Sequence, residues 1–186
     1  IATTGNAADF GDRLNSIHSS NRSQCNSTTR GLITGGYNPS PGAMVNIIEK
    51  LEIATTGNTT DFGDLTSPRN NMGALSSNTR GIIYGGSGAS PTPNVNIIDF
   101  VTIASAGDAT DFGDLIGDTS SFANVCMSNN TRGLSAGGDT QPGNAYTNTI
   151  QFITIATTGD ASDFGDMLTA GAYRGATSDS HGGLGE

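Results

Sequence analysis

Apolar and polar residues alternate in one run that the chain uses repeatedly. Leu51 and Ile53, Val101 and Ile103, and Ile153 and Ile155 are apolar pairs two residues apart, separated by Glu52, Thr102 and Thr154. That spacing puts each pair on one face of a strand. Ile48, Ile98 and Ile150 fall on the opposite face. Both faces are therefore partly apolar, as expected of a sheet packed between two others. The pattern predicts strands over 47–53, 95–104 and 149–155. In the middle copy, small residues alternate with Met72 and Leu75 between 70 and 77, which predicts a short strand. Ile82–Tyr84 predicts a second, because β-branched and aromatic residues favour strands. Gly85 and Gly86 end it, where the backbone can take positive φ. Gly88, Pro91 and Pro93 mark a surface loop before the long strand.

Each long strand runs into a turn, Thr-Gly-Asn, Ala-Gly-Asp or Thr-Gly-Asp, and then into Asp-Phe-Gly-Asp. The whole block, Ile-Ala-Thr-Thr-Gly-Asn-Ala-Ala-Asp-Phe-Gly-Asp, opens at Ile1, and close copies begin at Ile53, Ile103 and Ile155, at spacings of 52, 50 and 52 residues. A period of this size predicts a propeller, a solenoid or an array of like units. Phe10, Phe62, Phe112 and Phe164 supply the aromatic present in every copy and are expected to anchor an outer strand between neighbouring units. Each unit then has about four strands. Residues 15–65, 67–115 and 117–167 each make one complete unit. Residues 1–14 and 169–186 are partial units. The N-terminal piece offers the end of a third strand and an outer strand, and the C-terminal piece offers two inner strands. Together they would close a four-unit ring and remove its exposed edges. Processing, or excision from a longer ring, is the alternative reading of the chain ends.

Composition supports short strands and many turns. There are 27 Gly and no Trp, hydrophobic residues make up 34% of the chain and charged residues 13%, too few for the charged, long-faced helices of a bundle. The net charge of −9 argues against nucleic acid as a partner, because phosphate binding needs clustered Lys and Arg. No run approaches the roughly 20 apolar residues of a membrane-spanning helix, so no membrane insertion is expected. Cys25 and Cys126 occupy similar places in the first and third units and read as small buried thiols, with a bridge or a metal site as the minority reading. His18 and His181 lie far apart and read as surface or turn residues.

The order Ser67-Pro68-Arg69, a strand ending at Gly85-Gly86, a loop, Asp99-Phe100 and then Phe62-Gly63-Asp64-Leu65 in its copy resembles the kelch repeat. Two features depart from it. Phe stands where kelch repeats have Trp, and Pro68-Arg69 occurs once. The resemblance implies an all-β, kelch-like β-propeller in which each four-stranded unit is a blade; a β-solenoid is the rival architecture. Thr-Arg-Gly-Leu-Ile-Thr-Gly-Gly-Tyr, with the Asp-Phe-Gly-Asp block, is more specific. It is similar to the kelch-like arrays of virion and tail proteins of tailed bacteriophages. That similarity implies a structural virion part (tail, fibre or decoration) in a virion or extracellular location. Its implied partners are other virion proteins or copies of itself, and a host-surface glycan.

The motif-like residues have plain alternatives. Asp-Phe-Gly occurs four times without the Lys, Gly-rich loop or His-Arg-Asp loop that kinase chemistry requires. Asn58, Asp61 and Asp64 bring three oxygen-bearing side chains close together across a glycine, which suits Ca²⁺. Asx residues beside Gly are equally turn chemistry, and the EF-hand spacing and closing Glu are missing. No other cofactor is implied. Arg30, Arg80 and Arg132 precede Gly in three units and are expected to pair with an Asp of a neighbouring Asp-Phe-Gly-Asp block; a ring of arginines binding an anion is the alternative. No nucleophile–base pair stands out, so no catalytic residue is assigned and the chain reads as a non-enzyme. A secreted bacterial adhesion or scaffold propeller, and more remotely a polysaccharide-degrading one, are the other readings. Function is expected in the loops that differ between units, at 37–44, 87–94 and 139–146. There Tyr37, Asn38 and Tyr146 are candidates to stack on or hydrogen-bond a sugar, with solvated hairpin ends as the plain alternative.

Overall fold

A computed structural model of the chain describes residues 5–14, 23–88, 94–117, 119–120, 125–140, 145–172 and 175–176. The described residues are all-β. The first unit is an antiparallel sheet of β1 (Ser23–Asn26), β2 (Arg30–Asn38), β3 (Ala43–Glu52) and β4 (Thr60–Asp64), paired in chain order. The chain continues through β5 (Arg69–Asn70), β6 (Gly73–Ser76), β7 (Arg80–Tyr84), β8 (Ser87–Gly88), β9 (Ile97–Thr102) and β10 (Thr110–Asp114). Of these, β6, β7, β9 and β10 form the second sheet and β5 pairs with β8. The third unit contains β11 (Thr119–Ser120), β12 (Val125–Ser128), β13 (Arg132–Ala136), β14 (Asp139–Thr140), β15 (Ala145–Tyr146), β16 (Thr149–Thr154) and β17 (Ser162–Asp166). Its sheet is β12-β13-β16-β17, and β11, β14 and β15 make a small ribbon beside it.

Local sequence explains the shared course of the three sheets. Short turns at Ser27–Thr29, Ser77–Thr79 and Asn129–Thr131 join the first two strands. Ser27 Oγ, Ser77 Oγ and Asn129 Oδ1 each accept the amides two and three residues on, the side-chain mimicry that makes these residues turn formers. At Gly35, Gly85 and Gly137 the backbone turns to φ 55–73°; β7 and β13 end at the expected paired glycines, whereas β2 continues through Gly35-Gly36 to Asn38 with a register shift at that point.

The core lies between sheets. Cys25, Leu32, Ile48, Phe62 and Leu65 of the first unit meet Met72, Ile83, Val101 and Ile103 of the second. Ile82, Tyr84, Ile98, Phe112 and Leu115 in turn meet Ile153 and Ile155 of the third, together with Leu75. The second sheet thus turns its even and odd third-strand residues to different neighbours, as the two apolar faces required. Its first strand, β6, contacts both β1 and β12.

Three expectations are corrected. Residues 5–14 form no strand: among the described residues no third strand precedes them to ladder against. Phe62 and Phe112 are buried anchors, each 2% exposed, but Phe10 at 41% and Phe164 at 52% are not, because each lies at an end of the described array. The predicted inner strand at 70–77 is two elements, β5 and β6, separated by Asn71 at φ 58°. His18 and His181 lie outside the described residues; of the range 169–186 expected to hold two inner strands, residues 169–172 and 175–176 are described and form no strand, and the rest lies outside the described residues.

Candidate functional site

The Asp-Phe-Gly-Asp blocks form a seam between units. The amides of Gly107 and Ala109 donate to Phe62 O and Asp64 O, both at 2.7 Å. One unit on, Gly159 and Ala161 donate to Phe112 O and Asp114 O at 2.7 and 2.8 Å. The segment before the first sheet repeats the arrangement, with Gly57 and Thr59 donating to Phe10 O and Asp12 O at 2.8 and 2.9 Å. The reverse bond comes from the amide of Asp12, Asp64 or Asp114 to Asn58, Asp108 or Asp160 Oδ1, at 2.8, 3.0 and 3.0 Å. The glycine of each block is required by this approach. A Cβ on Gly11, Gly63 or Gly113 would stand 2.3–2.5 Å from the backbone of the docked glycine.

The seam engages the side-chain oxygen of one of the three Ca²⁺ candidates, Asn58. Asn58 Oδ1 is engaged by Asp12, Asp61 sits in the β3–β4 ladder opposite Glu49, and the Asp64 amide binds Asp108. Among the described residues no group of three or more His, Cys, Asp or Glu is placed to hold a metal ion.

The arginines correct another expectation. Arg30 pairs with Glu52 of its own unit at 2.8 Å and donates from Nη1 to Ile103 O of the next at 2.8 Å. Arg80 likewise reaches Ile155 O at 3.0 Å. Its guanidinium lies 4.5 Å over the Phe100 ring, as that of Arg132 lies 4.7 Å over Phe152. Their partners are an in-register Glu, a flat aromatic face and a carbonyl, not the Asp of the block.

A buried polar position on the third strand was missed from sequence. Glu49, Asp99 and Gln151 occupy it, and all are buried. Asp99 accepts from Arg69 Nη2 at 2.8 Å, Thr66 Oγ1 at 2.7 Å and the Thr66 amide at 3.2 Å. Gln151 accepts from the Ile116 amide at 2.9 Å, and Glu49 from Arg13 at 3.0 Å and Thr59 Oγ1 at 2.8 Å. Asp99 and Gln151 catch chain leaving the preceding unit, and Glu49 catches the segment before the first sheet. A polar residue directly after Ile48, Ile98 and Ile150 in every copy was the available signal. Arg69 is fully buried, and burial pulls its pKa down while Asp99 opposes the shift. Charges removed from water in this way need each other.

Both thiols are free; Cys25 is buried as expected, whereas Cys126 is half-buried. Burial pushes Cys25 up to about 12 and Cys126 up to about 11, so neither is a poised nucleophile at neutral pH. The Tyr84 hydroxyl, held near Cys126, is raised by the same burial.

The loop candidates lie on the β2–β3 connection and its counterpart in the third unit. Tyr37 faces Met44 and Asn38 faces Ala43 across the hairpin, while Tyr146 faces Asp139. Tyr37 is 39% exposed and Tyr146 53%. Asn38 is tied up: its Oδ1 accepts the Ser40 amide at 3.0 Å and its carbonyl accepts the Gly42 amide at 2.9 Å. The hairpin thus uses Asn38 to turn and presents Tyr37 beside it. Tyr146 stands on a separate hairpin, in the third unit. No family model matches the chain, and no curated protein matches it.

Proposed function

We propose that the chain is a non-enzymatic, kelch-like β-propeller part of a bacteriophage virion, in the tail, a fibre or a decoration, and that its hairpins contact a host-surface glycan. One observation carries the reading. The repeated Gly-Asx turns and the backbone of the Asp-Phe-Gly-Asp blocks are engaged in joining units, whereas exposed tyrosines stand on the hairpins that differ between units. A scaffold with variable rim loops suits recognition more than catalysis. Tyrosine offers a flat apolar face and a hydroxyl at low entropic cost, which suits sugar rings. The virion assignment rests on the resemblance of the Thr29–Tyr37 segment and the Asp-Phe-Gly-Asp blocks to phage arrays, and other virion proteins or further copies of the chain would be its partners.

Bacterial surface polysaccharides printed as an array provide the test. The chain should bind a subset of them, and Y37A and Y146A should each weaken that binding. Release of reducing ends from any bound polysaccharide would overturn the non-enzymatic assignment. Antibody labelling that finds the protein on secreted bacterial surfaces and never on phage particles would overturn the virion assignment and favour an adhesion scaffold.

A further inference from the structure

The seam is used twice between complete units and once by the segment before the first sheet, yet each of its halves also occurs undocked among the described residues. At the C-terminal side, Phe164 is 52% exposed where Phe62 and Phe112 are 2%. A Cβ on Gly165 meets nothing within 4 Å among the described residues, although Gly165 holds φ 139°, close to the values of Gly63 and Gly113. Leu134 and Ile150 are half-buried on the same face, where Ile82 and Ile98 of the second unit are fully buried. Arg132 lies over Phe152, while Arg30 and Arg80 in the same place reach a carbonyl of the following unit. An open hollow of about 300 Å³ beside Phe152 is lined by Thr154, Gly159, Asp160 and Ser162.

At the N-terminal side, Gly5-Asn6 copies Gly57-Asn58, Gly107-Asp108 and Gly159-Asp160 in sequence. Those three turns are docked on Phe10, Phe62 and Phe112. Among the described residues the Gly5 amide makes no backbone bond, whereas the amides of Gly57, Gly107 and Gly159 each donate to a phenylalanine carbonyl.

We propose that the Phe164–Asp166 edge is the acceptor for the Gly5-Asn6 turn of a second copy of the chain, giving head-to-tail assembly through the same seam that joins units within the chain. Three bonds follow from the register: Gly5 N–H to Phe164 O, Ala7 N–H to Asp166 O, and Asp166 N–H to Asn6 Oδ1. The occupant is a second copy because the described chain carries both complementary halves, at Gly5 and at Gly165, and docks neither on the other. A contact between two different surfaces is heterologous, so it extends or closes a ring according to its rotation. This specifies the self-association named above. Its failure would leave the glycan and virion readings standing, because the test reads association alone.

Sedimentation equilibrium on the full chain tests it, at up to about 1 mM, where a contact of millimolar Kd becomes populated. The wild type should gain mass with concentration. F164R places a charge on the acceptor edge, and G5P/N6A removes a donor and an acceptor from the turn. Each variant alone should associate about a hundredfold more weakly, the loss expected for about two hydrogen bonds or one buried apolar contact. Mixed in equal amounts, the two should form a one-to-one dimer and stop there, because each retains the half that the other lacks. A wild type that stays monomeric, including one that closes on itself, would overturn the proposal. So would variants that associate as the wild type does, or a mixture that stays monomeric.

Discussion

Replacing Gly63 by alanine, beside the same change at Gly165, separates backbone strain from seam contact. The two glycines hold φ 150° and 139°, a region where an L residue is strained by about 1–3 kcal/mol. Their surroundings differ. A Cβ on Gly63 would stand 2.4 Å from Gly107 O and 2.8 Å from Asp108 N, whereas one on Gly165 meets nothing within 4 Å among the described residues. Relieving the clash means backing residues 107–109 away from β4. That opens the bonds from Gly107 to Phe62, from Ala109 to Asp64 and from Asp64 to Asp108. Three bonds at about 1 kcal/mol each add about 3 kcal/mol. Gly165→Ala should therefore cost about 1–3 kcal/mol of stability, from strain alone, and Gly63→Ala about 3 kcal/mol more. Urea unfolding followed by far-ultraviolet circular dichroism measures both, at protein concentrations low enough that copies do not associate. Equal losses would refute the reasoning, since they would mean that the close approach at Gly63 contributes nothing beyond its backbone angle.

Other substitutions follow from the same geometry. Asp99→Ala strands the buried Arg69 guanidinium and should cost about 3–5 kcal/mol; R69M/D99N should recover part of that in the same urea assay, because the amide oxygen introduced at position 99 still accepts from Thr66. Arg80→Ala loses a carbonyl partner and the Phe100 face and should cost about 1–2 kcal/mol, while Arg132→Ala should cost less in the monomer, where its guanidinium has the Phe152 ring alone among the described residues; equal values would contradict the assignment of Arg80 to Ile155. Stability should also fall at alkaline pH. Cys25 ionises near 9.0 when exposed but near 12 when buried in the fold, so the native state binds more protons between those values. The contribution is complete below pH 9 and is lost as pH rises, at up to about 1.4 kcal/mol per pH unit. Cys25→Ala should flatten that slope in denaturation midpoints measured from about pH 8 to about pH 11, a window that brackets the exposed thiol's titration; an unchanged slope would assign it to Tyr84 and Cys126 instead.

The repeat made the sheets legible because each copy states the same strand pattern. The third strands overlap the predicted ranges but end at Glu52, Thr102 and Thr154, one residue before Ile53, Ile103 and Ile155. What joins the units was harder to read. A seam made of backbone amides and carbonyls leaves only a glycine and an Asx as its mark, and turns use the same two residues. The Asx residues suggested a cation or a turn for that reason, while the oxygens of Asn58, Asp108 and Asp160 accept the amides of Asp12, Asp64 and Asp114. Arg30, Arg80 and Arg132 suggested carboxylates, yet a carbonyl satisfies a guanidinium as well, and no side-chain pattern encodes a carbonyl. Asp99 was visible as a polar residue inside an apolar strand, but its counter-ion Arg69 lies in a different element, and Pro68-Arg69 occurs in one unit only. Phe10 and Phe164 share the sequence of Phe62 and Phe112 and differ in exposure because burial there depends on the neighbouring unit.

Glycine-resolved hydrogen exchange on the dilute chain tests the central claim most directly, that units are joined through the seam and that one of its turns remains undocked. Gly107 and Gly159 amides, each bonded at 2.7 Å to a phenylalanine carbonyl of the preceding unit, should be protected by several orders of magnitude, in the range of sub-global opening. The Gly5 amide should exchange at the free rate and gain protection as the concentration rises. Exchange of Gly107 and Gly159 as fast as that of Gly5 would contradict the account.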